Sequence, residues 1–76
     1  MIKIQFFAHL REKVGQDQLM LDFKKISVKD LLEVLANSYQ LQTDTFMVAV
    51  NEEYADIEDV ILEGDTVALI PPVSGG

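Results

Sequence analysis

The sequence predicts a two-layer α+β domain in which one main helix packs across a mixed sheet. Two observations support this prediction. The chain has 76 residues and 49% apolar side chains, which is enough for one hydrophobic core but not for two. Its apolar patterns follow the order strand, strand, helix, strand, short helix, strand, and a single long helix buries its apolar stripe by packing on the sheet.

Alternating apolar and polar residues predict the first two strands. The first covers residues 2–8 and the second covers residues 18–23, with Gly15 between them as the expected turn. The side chains that face the core are Ile2, Ile4, Phe6 and Ala8 in the first strand and Leu19, Leu21 and Phe23 in the second. The two strands are expected to form an antiparallel hairpin with a long loop.

The main helix is predicted to begin after Ser27. The Ser27 hydroxyl is a typical N-cap, and Asp30 places a carboxylate in the first turn. Apolar residues then recur with the period of a helix of about three turns, which gives one apolar stripe. The stripe consists of Val28, Leu31, Leu32, Leu35 and Tyr39.

The second half of the chain completes the sheet. Residues 46–50 are predicted to form a buried central strand, and residues 54–62 a short helical turn through Ile57, Val60 and Ile61. Residues 63–65 form a turn, and residues 66–70 form the last strand. We therefore expect a β-grasp arrangement with the first and last strands parallel at the centre of the sheet. Residues 1–70 form the domain, and residues 71–76 form an extended tail.

The net charge of −7 is unevenly distributed. Residues 1–29 contain six basic and three acidic side chains, whereas residues 30–76 contain ten acidic side chains and no Lys or Arg. The overall charge disfavours nucleic acid and membrane surfaces as partners. Because no apolar stretch resembles a membrane span or a signal sequence, a cytoplasmic location is expected. The acidic segment either promotes solubility or attracts a basic partner.

Side-chain catalysis has little support in this sequence. The chain has no cysteine and one histidine, His9, so neither a thiolate nucleophile nor a histidine metal cluster is predicted. The acidic residues at 52–59 lack the ligand order of a calcium loop and are interpreted as a solvated surface. The main-chain carboxylate of Gly76 is the remaining distinctive reactive group.

Two strands carry apolar residues on the face that should be polar. Phe7 shares a face with the polar residues of the first strand, and Ile70 faces away from the core in the last strand. If these strands are neighbours, both residues belong to one exposed patch, joined by Met47 or Tyr54. Such a patch is typical of a protein–protein interface, and scattered surface apolar residues are the alternative.

The tail also departs from the pattern of a folded domain. Pro71 and Pro72 favour an extended spacer, and six extended residues reach about 20 Å. Gly75 and Gly76 have no side chains, so they can enter a narrow channel. A frayed terminus without a function is the alternative interpretation.

Three segments of the chain are distinctive: MIKIQFFAHLREKVG at residues 1–15, VAVN at residues 48–51 and GDTVALIPPVSGG at residues 64–76. Together they resemble the small subunit of molybdopterin synthase, called MoaD. The resemblance follows the same order along the chain and is most specific at its two ends. One difference is that this family commonly has aromatic residues before Pro-Pro, where this chain has Leu69 and Ile70.

The resemblance implies a ubiquitin-like sulfur carrier that is not catalytic alone and binds no cofactor or metal itself. An adenylating enzyme of the ubiquitin-activating type (MoeB-like) would use ATP to activate the carboxylate of Gly76, which then becomes a thiocarboxylate. The tail would enter the large subunit (MoaE-like) of a heterotetramer and give its sulfur to a cyclic pyranopterin precursor of molybdopterin. Gly75 would keep the tail narrow. The partner-binding residues implied are Phe7, Tyr54, Ile70, Pro71, Pro72, Val73 and Ser74.

Two other functions keep the same fold. One is a ThiS-like sulfur carrier for thiazole synthesis in the thiamine pathway, against which the Pro-Pro-Val-Ser sequence argues. The other is a ubiquitin-like protein modifier. A third possibility is an interaction domain with an inert tail.

Overall fold

The structure is a computed structural model that describes residues 1–41 and 46–71 of the chain. The helices and strands are, in chain order, β1 (Ile2–Phe6), α1 (His9–Val14), β2 (Gln18–Leu21), β3 (Lys25–Ser27), α2 (Val28–Tyr39), β4 (Met47–Val50), β5 (Glu53–Ala55), β6 (Val60–Leu62) and β7 (Thr66–Ile70).

The main sheet has the strand order β2-β1-β7-β4-β5. The outer neighbours pair antiparallel, but β1 and β7 are parallel, with Ile4 opposite Val67 and Phe6 opposite Leu69. The predicted β-grasp arrangement is therefore confirmed, with the first and last strands adjacent in the middle of the sheet. A second, smaller sheet pairs β3 with β6.

One hydrophobic core lies between the sheet and α2. The alternation of β1 and β7 buries every second side chain, and the fully buried ones include Ile2, Ile4, Val67 and Leu69. The predicted helical stripe packs against them, with Val28, Leu31, Leu32 and Leu35 buried. Tyr39 completes the stripe at the edge of the core, where its ring meets Phe6 edge-on, with centroids 6.4 Å apart.

The two ends of α2 have different caps. The Ser27 hydroxyl accepts a hydrogen bond from the Asp30 amide at 3.1 Å, so the predicted N-cap is confirmed. At the C-terminal end Gln40 adopts a left-handed conformation with φ of 55°. The amides of Gln40 and Leu41 then both donate to the Ala36 carbonyl, so the 5→1 bond of an αL cap and the 6→1 bond of a Schellman motif share one acceptor.

The connection between β1 and β2 is a short helix, α1, and not the plain loop that was predicted. Leu10 is buried beneath it and holds it on the core. The helix ends at Gly15, which is a left-handed C-cap with φ of 85°. Its amide donates a hydrogen bond to the Arg11 carbonyl. The prediction that Ala8 belongs to β1 was wrong, because Ala8 has φ of 55° and starts the turn into α1. Strand β2 likewise ends before Phe23.

The helical turn predicted for residues 54–62 was also wrong. This segment contains β5, a turn and β6. In β6 only Ile61 is buried while Val60 and Leu62 are exposed, so its period is two and not that of a helix. The turn closes when the Asp59 carboxylate accepts a hydrogen bond from the Asp56 amide at 2.9 Å.

Among the described residues, none of the helices has the length and apolar character that crossing a bilayer requires. Strand β7 ends at Ile70, and Pro71, which was assigned to the tail, is buried.

Candidate partner-docking site

The outer face of the main sheet carries a row of apolar side chains at the end where β7 stops. Ile70 is paired with Met47 across β7 and β4. On the other side of β7, the parallel register pairs Leu69 with Phe6 of β1. Phe7 and Ile70 each follow one of these two core residues, so both lie on the outer face of the sheet. Phe7 is 45% exposed and Met47 is 49% exposed. We call this surface the docking face, and it consists of Phe7, Met47, Ala49, Tyr54, Ala68 and Ile70.

The floor of the docking face is made of small residues. Ala49 and Ala68 are paired across β4 and β7, and both line a depression of about 490 Å³. Gln5 and Phe7 form one wall of this depression, and Asn51, Glu52 and Thr66 form the other end. A sheet face with an alanine floor and an aromatic wall is suited to receive a protruding apolar side chain from a partner.

Tyr54 lies at the outer edge of the docking face. It is paired with Ala49 on the edge strand β5, and its side chain is 71% exposed. The hairpin that carries it turns through Asn51 and Glu52, both with positive φ, of 51° and 72°. Two left-handed residues in a two-residue loop define a type I′ turn, whose twist matches the strands. The hairpin therefore fixes Tyr54 at this edge.

Asn51 ties the hairpin turn to the turn before β7. Its Oδ1 accepts a hydrogen bond from the Thr66 amide, and its Nδ2 donates to the Asp65 carboxylate, both at 3.0 Å. The other Asp65 oxygen accepts from the Leu62 amide at 2.9 Å. The bonds from the Leu62 amide and the Asn51 side chain lower the pKa of Asp65 below its ordinary value of 3.8.

Phe7 is presented by a strained turn. The Leu10 amide donates to the Phe7 carbonyl at 3.1 Å, which closes a turn through Ala8. Ala8 has φ of 55° and ψ of −135°, a conformation that glycine adopts far more readily. Buried Leu10 anchors the far side of this turn. Phe7 is therefore held at the point where the chain changes from strand to helix.

The predicted site residues fall into two groups. The structure places Phe7, Met47 and Ile70 together and puts Tyr54 at the edge of the same face. Pro71 is buried, so the first residue after β7 packs on the domain. The other predicted tail residues lie outside the described residues. They are Pro72, Val73, Ser74, Gly75 and Gly76.

Other chemically capable side chains do not form a centre. His9 and the acidic residues of the 52–59 segment are exposed. Within residues 1–41 and 46–71, no three histidine or acidic side chains are arranged to hold a metal ion.

Sequence reasoning missed three contributions to this face. The pairing of Ala49 with Ala68 as a floor gives no sequence signal, because alanine is common in any strand. The sequence indicates a turn at Asn51 and Glu52, but the bonds of Asn51 to Thr66 and Asp65 depend on the fold. Arg11 was not predicted as a site residue, and α1 places it beside Phe7.

Comparison with known proteins adds a second line of evidence. The ThiS family model matches residues 4–76. Molybdopterin synthase sulfur carrier subunits from Drosophila erecta and Anopheles gambiae are 38% and 36% identical. In both cases 99% of this chain is covered, with 90% and 91% of the relative, respectively. The subunit of that name from Haemophilus influenzae is 31% identical, with both chains covered completely.

The fold of a solved structure agrees with this result. SAMP1 from Haloferax volcanii superposes with a TM-score of 0.81 at 29% identity, covering 99% of this chain and 98% of that one. The sequence match and the shared β-grasp fold extend over nearly the whole chain. The chain therefore belongs to the ThiS family and is a full-length homologue of molybdopterin synthase sulfur carrier subunits.

Proposed function

We propose that this chain is the sulfur-carrier subunit of a molybdopterin synthase and that its reactive group is the carboxylate of Gly76. The observation that carries the proposal is full-length homology, at 31–38% identity, to subunits of that name. The docking face supports it, because a carrier must bind partners next to the point where its tail begins. Here Ile70, the last residue of β7, is itself part of that face.

The proposed chemistry begins with activation of a poor acyl donor. The Gly76 carboxylate attacks the α-phosphorus of ATP on a MoeB-like adenylating enzyme, which releases pyrophosphate and leaves an acyl-adenylate. A sulfur nucleophile of sulfide oxidation state then displaces AMP and leaves a thiocarboxylate. In the MoaE-like large subunit, the thiocarboxylate sulfur forms a C–S bond to a carbon of the cyclic pyranopterin precursor as the C–O bond at that carbon breaks, and the departing oxygen takes up a proton. Hydrolysis of the resulting thioester regenerates the Gly76 carboxylate and leaves the sulfur on the pterin.

This scheme explains why the chain needs no cysteine. The sulfur is carried on the main-chain carbonyl carbon and not on a thiol, and the sequence contains no cysteine. The side chains of the domain serve for recognition, and the adenylating and pterin-binding groups belong to the partners. Pro71 and Pro72 limit the conformational entropy that the tail loses on insertion.

The test is an intact-mass measurement on the purified full chain after incubation with ATP, a sulfur donor and the adenylating enzyme from the same organism. We expect one sulfur in place of one oxygen at the C-terminus. A chain lacking Gly76 is the control, and it should fold normally and remain unmodified. Activation of the shortened chain, or no modification of the full chain, would contradict the proposal.

A ubiquitin-like modifier is the second candidate function. One observation favours it, since the similar Haloferax volcanii structures are of SAMP1, named small archaeal modifier protein 1. A modifier forms isopeptide bonds between Gly76 and lysine side chains of other proteins. Mass spectrometry of a lysate from cells expressing the tagged chain distinguishes the two, because a dedicated sulfur carrier leaves no such adducts on lysines.

A further inference from the structure

The main sheet has two open edges, β2 and β5. An edge strand presents backbone N–H and C=O groups that no neighbouring strand satisfies, and these groups can pair with a strand of another chain. Proteins usually protect such edges with charged residues, with proline or by keeping the strand very short. The two edges of this sheet differ in that protection.

The β5 edge is short and acidic. The two-residue turn before it makes Val50 and Glu53 a hydrogen-bonded pair, so on β5 only Tyr54 directs its N–H and C=O to the open side. The chain then turns, because the Asp56 amide donates to the Asp59 carboxylate at 2.9 Å and the Asp59 amide donates to the Asp56 carbonyl at 3.0 Å. The acidic side chains of this segment are exposed, so this edge offers another strand few free backbone groups and a negative surface.

The β2 edge lacks this protection. The Phe6 amide donates to the Asp17 carbonyl at 2.9 Å, which makes these two residues a hydrogen-bonded pair of the β1–β2 ladder. Such pairs alternate with non-hydrogen-bonded pairs, so Leu19 bonds to β1 whereas Gln18 and Met20 direct their N–H and C=O away from it. No described residue bonds to these outward-directed groups. The strand contains neither a charged residue nor proline.

The side chains of β2 are also incompletely covered. Met20 is 48% exposed on the outer face. Leu19 and Leu21 face the core but are only half-buried at its margin. An added strand would therefore cover apolar surface on both faces of the sheet and would satisfy the free backbone groups of β2.

We infer that the β2 edge is a self-association site, where a second copy of this chain pairs antiparallel about a twofold axis and joins two five-stranded sheets into one. The ladder forms only in registers that set outward-directed residues opposite each other. One such register places Met20 opposite Met20 of the second copy, Leu19 opposite Leu21, and Gln18 opposite Asp22. Apolar side chains then meet on both faces of the sheet, and the Gln18 amide can donate to the Asp22 carboxylate.

The charge distribution favours a second copy as the occupant. Residues 1–29, which include β2, contain six basic and three acidic side chains, and the ten acidic side chains of residues 30–76 have no Lys or Arg among them. In the joined sheet the two β5 strands lie at opposite ends, about 40 Å apart at ~4.8 Å per strand, which is well beyond the screening length of about 8 Å. Two chains of charge −7 therefore repel each other least when they meet at β2.

This dimer leaves the docking face open. Side chains that are opposite each other on paired strands lie on the same face of a sheet, so both copies present their docking faces on the same side. Strands β1 and β2 separate β7 from the twofold axis, so the second copy covers neither docking face. The inference therefore does not depend on the proposed function and is compatible with it.

The test is sedimentation equilibrium of the purified full chain at concentrations up to about 1 mM. We expect a reversible equilibrium between monomer and dimer. Met20→Lys puts two like charges at the twofold axis and should raise the dissociation constant of the dimer roughly fivefold to tenfold. Val60→Lys is the matched control, because Val60 is 47% exposed on the separate β3–β6 sheet, and this variant should dimerise like the unmodified chain.

Amide hydrogen exchange, measured by NMR on the unmodified chain, gives a second readout. The amides of Gln18 and Met20 should exchange more slowly as the protein concentration rises, while the exchange of the Tyr54 amide should not change. A chain that stays monomeric at every concentration overturns the inference. So does a dimer that Met20→Lys and Val60→Lys weaken equally, or slower exchange at Tyr54 in place of β2. These results leave the proposed function standing, because the experiment contains no large subunit.

Discussion

Asn51 and Asp65 are hydrogen-bonded to each other across two turns, with the Asn51 Nδ2 3.0 Å from the Asp65 Oδ1. The pair fastens the β4–β5 hairpin to the start of β7. Because Asp65 also accepts from the Leu62 amide, one carboxylate holds the hairpin turn and the turn that follows β6. The Asp65 carboxylate therefore holds together the two turns that bound the outer face beside Asn51.

Asp65→Asn is therefore expected to lower the melting temperature at neutral pH. The pKa of Asp65 is lowered in the folded chain, so its stabilising contribution is present above the ordinary value of 3.8 and is lost as the pH falls through the lower folded value. The difference between the two proteins should then shrink as the pH is lowered from 7 toward 2. Thermal unfolding followed by circular dichroism measures this. An unchanged difference at low pH would contradict it, and Glu58→Gln is the control.

Phe7→Asp is expected to weaken binding to the large subunit by about 2 kcal/mol or more, because it puts a charge at the centre of the docking face. The fold should remain intact, since Phe7 is 45% exposed. Leu62→Asp is the matched control, since Leu62 is 54% exposed but lies on the separate β3–β6 sheet. Calorimetric titration of each variant against the large subunit measures the effect. If Phe7→Asp and Leu62→Asp bind the large subunit with equal affinity, the docking face is wrongly placed.

Ala8→Gly is expected to stabilise the domain by about 1 kcal/mol, because it relieves the unfavourable positive φ of Ala8. Urea unfolding of the two proteins measures the change. Ala8→Val should shift stability the other way, since a branched side chain tolerates this conformation even less. If Ala8→Gly were no more stable than the parent chain, the turn would not be strained.

Ser27→Ala is expected to destabilise the domain by about 1 kcal/mol, because it removes the oxygen that accepts from the Asp30 amide. Ser27→Asp keeps an acceptor at the same position and should restore most of the loss. Urea unfolding of the three proteins provides the comparison. Equal losses for the Ala and Asp variants would mean that the side chain acts in some way other than capping.

Much of the fold could be predicted because its signals are local. The stripe from Val28 to Tyr39 has a single helical period, and the alternation in β1 and β7 assigns each side chain to a face. The failures occurred where segments are short. In residues 54–62 the spacing of Ile57, Val60 and Ile61 fits a helical turn, and only pairing of β6 with β3 makes Ile61 the buried residue of that strand. The helix α1 depends on the burial of Leu10, a tertiary contact.

The docking face could be predicted in part for a related reason. Phe7 and Ile70 break the alternation of their strands, and a broken pattern is visible in the sequence. The contributions of Ala49, Ala68 and Arg11 arise from the register of strands that are distant in sequence. Such residues become recognisable only when the pairing of β4 with β7 and the position of α1 are known.

The position of β7 in the middle of the sheet has a mechanical consequence. The strand that leads into the tail has a hydrogen-bonded neighbour on each side, β1 and β4. In the proposed function a partner grips the tail and later releases it, and a pull along the chain would then load both ladders lengthwise, so that many hydrogen bonds would have to shear together. An edge strand pulled sideways would instead open one bond at a time. A carrier built in this way would stay folded while its tail is drawn out of a partner's channel.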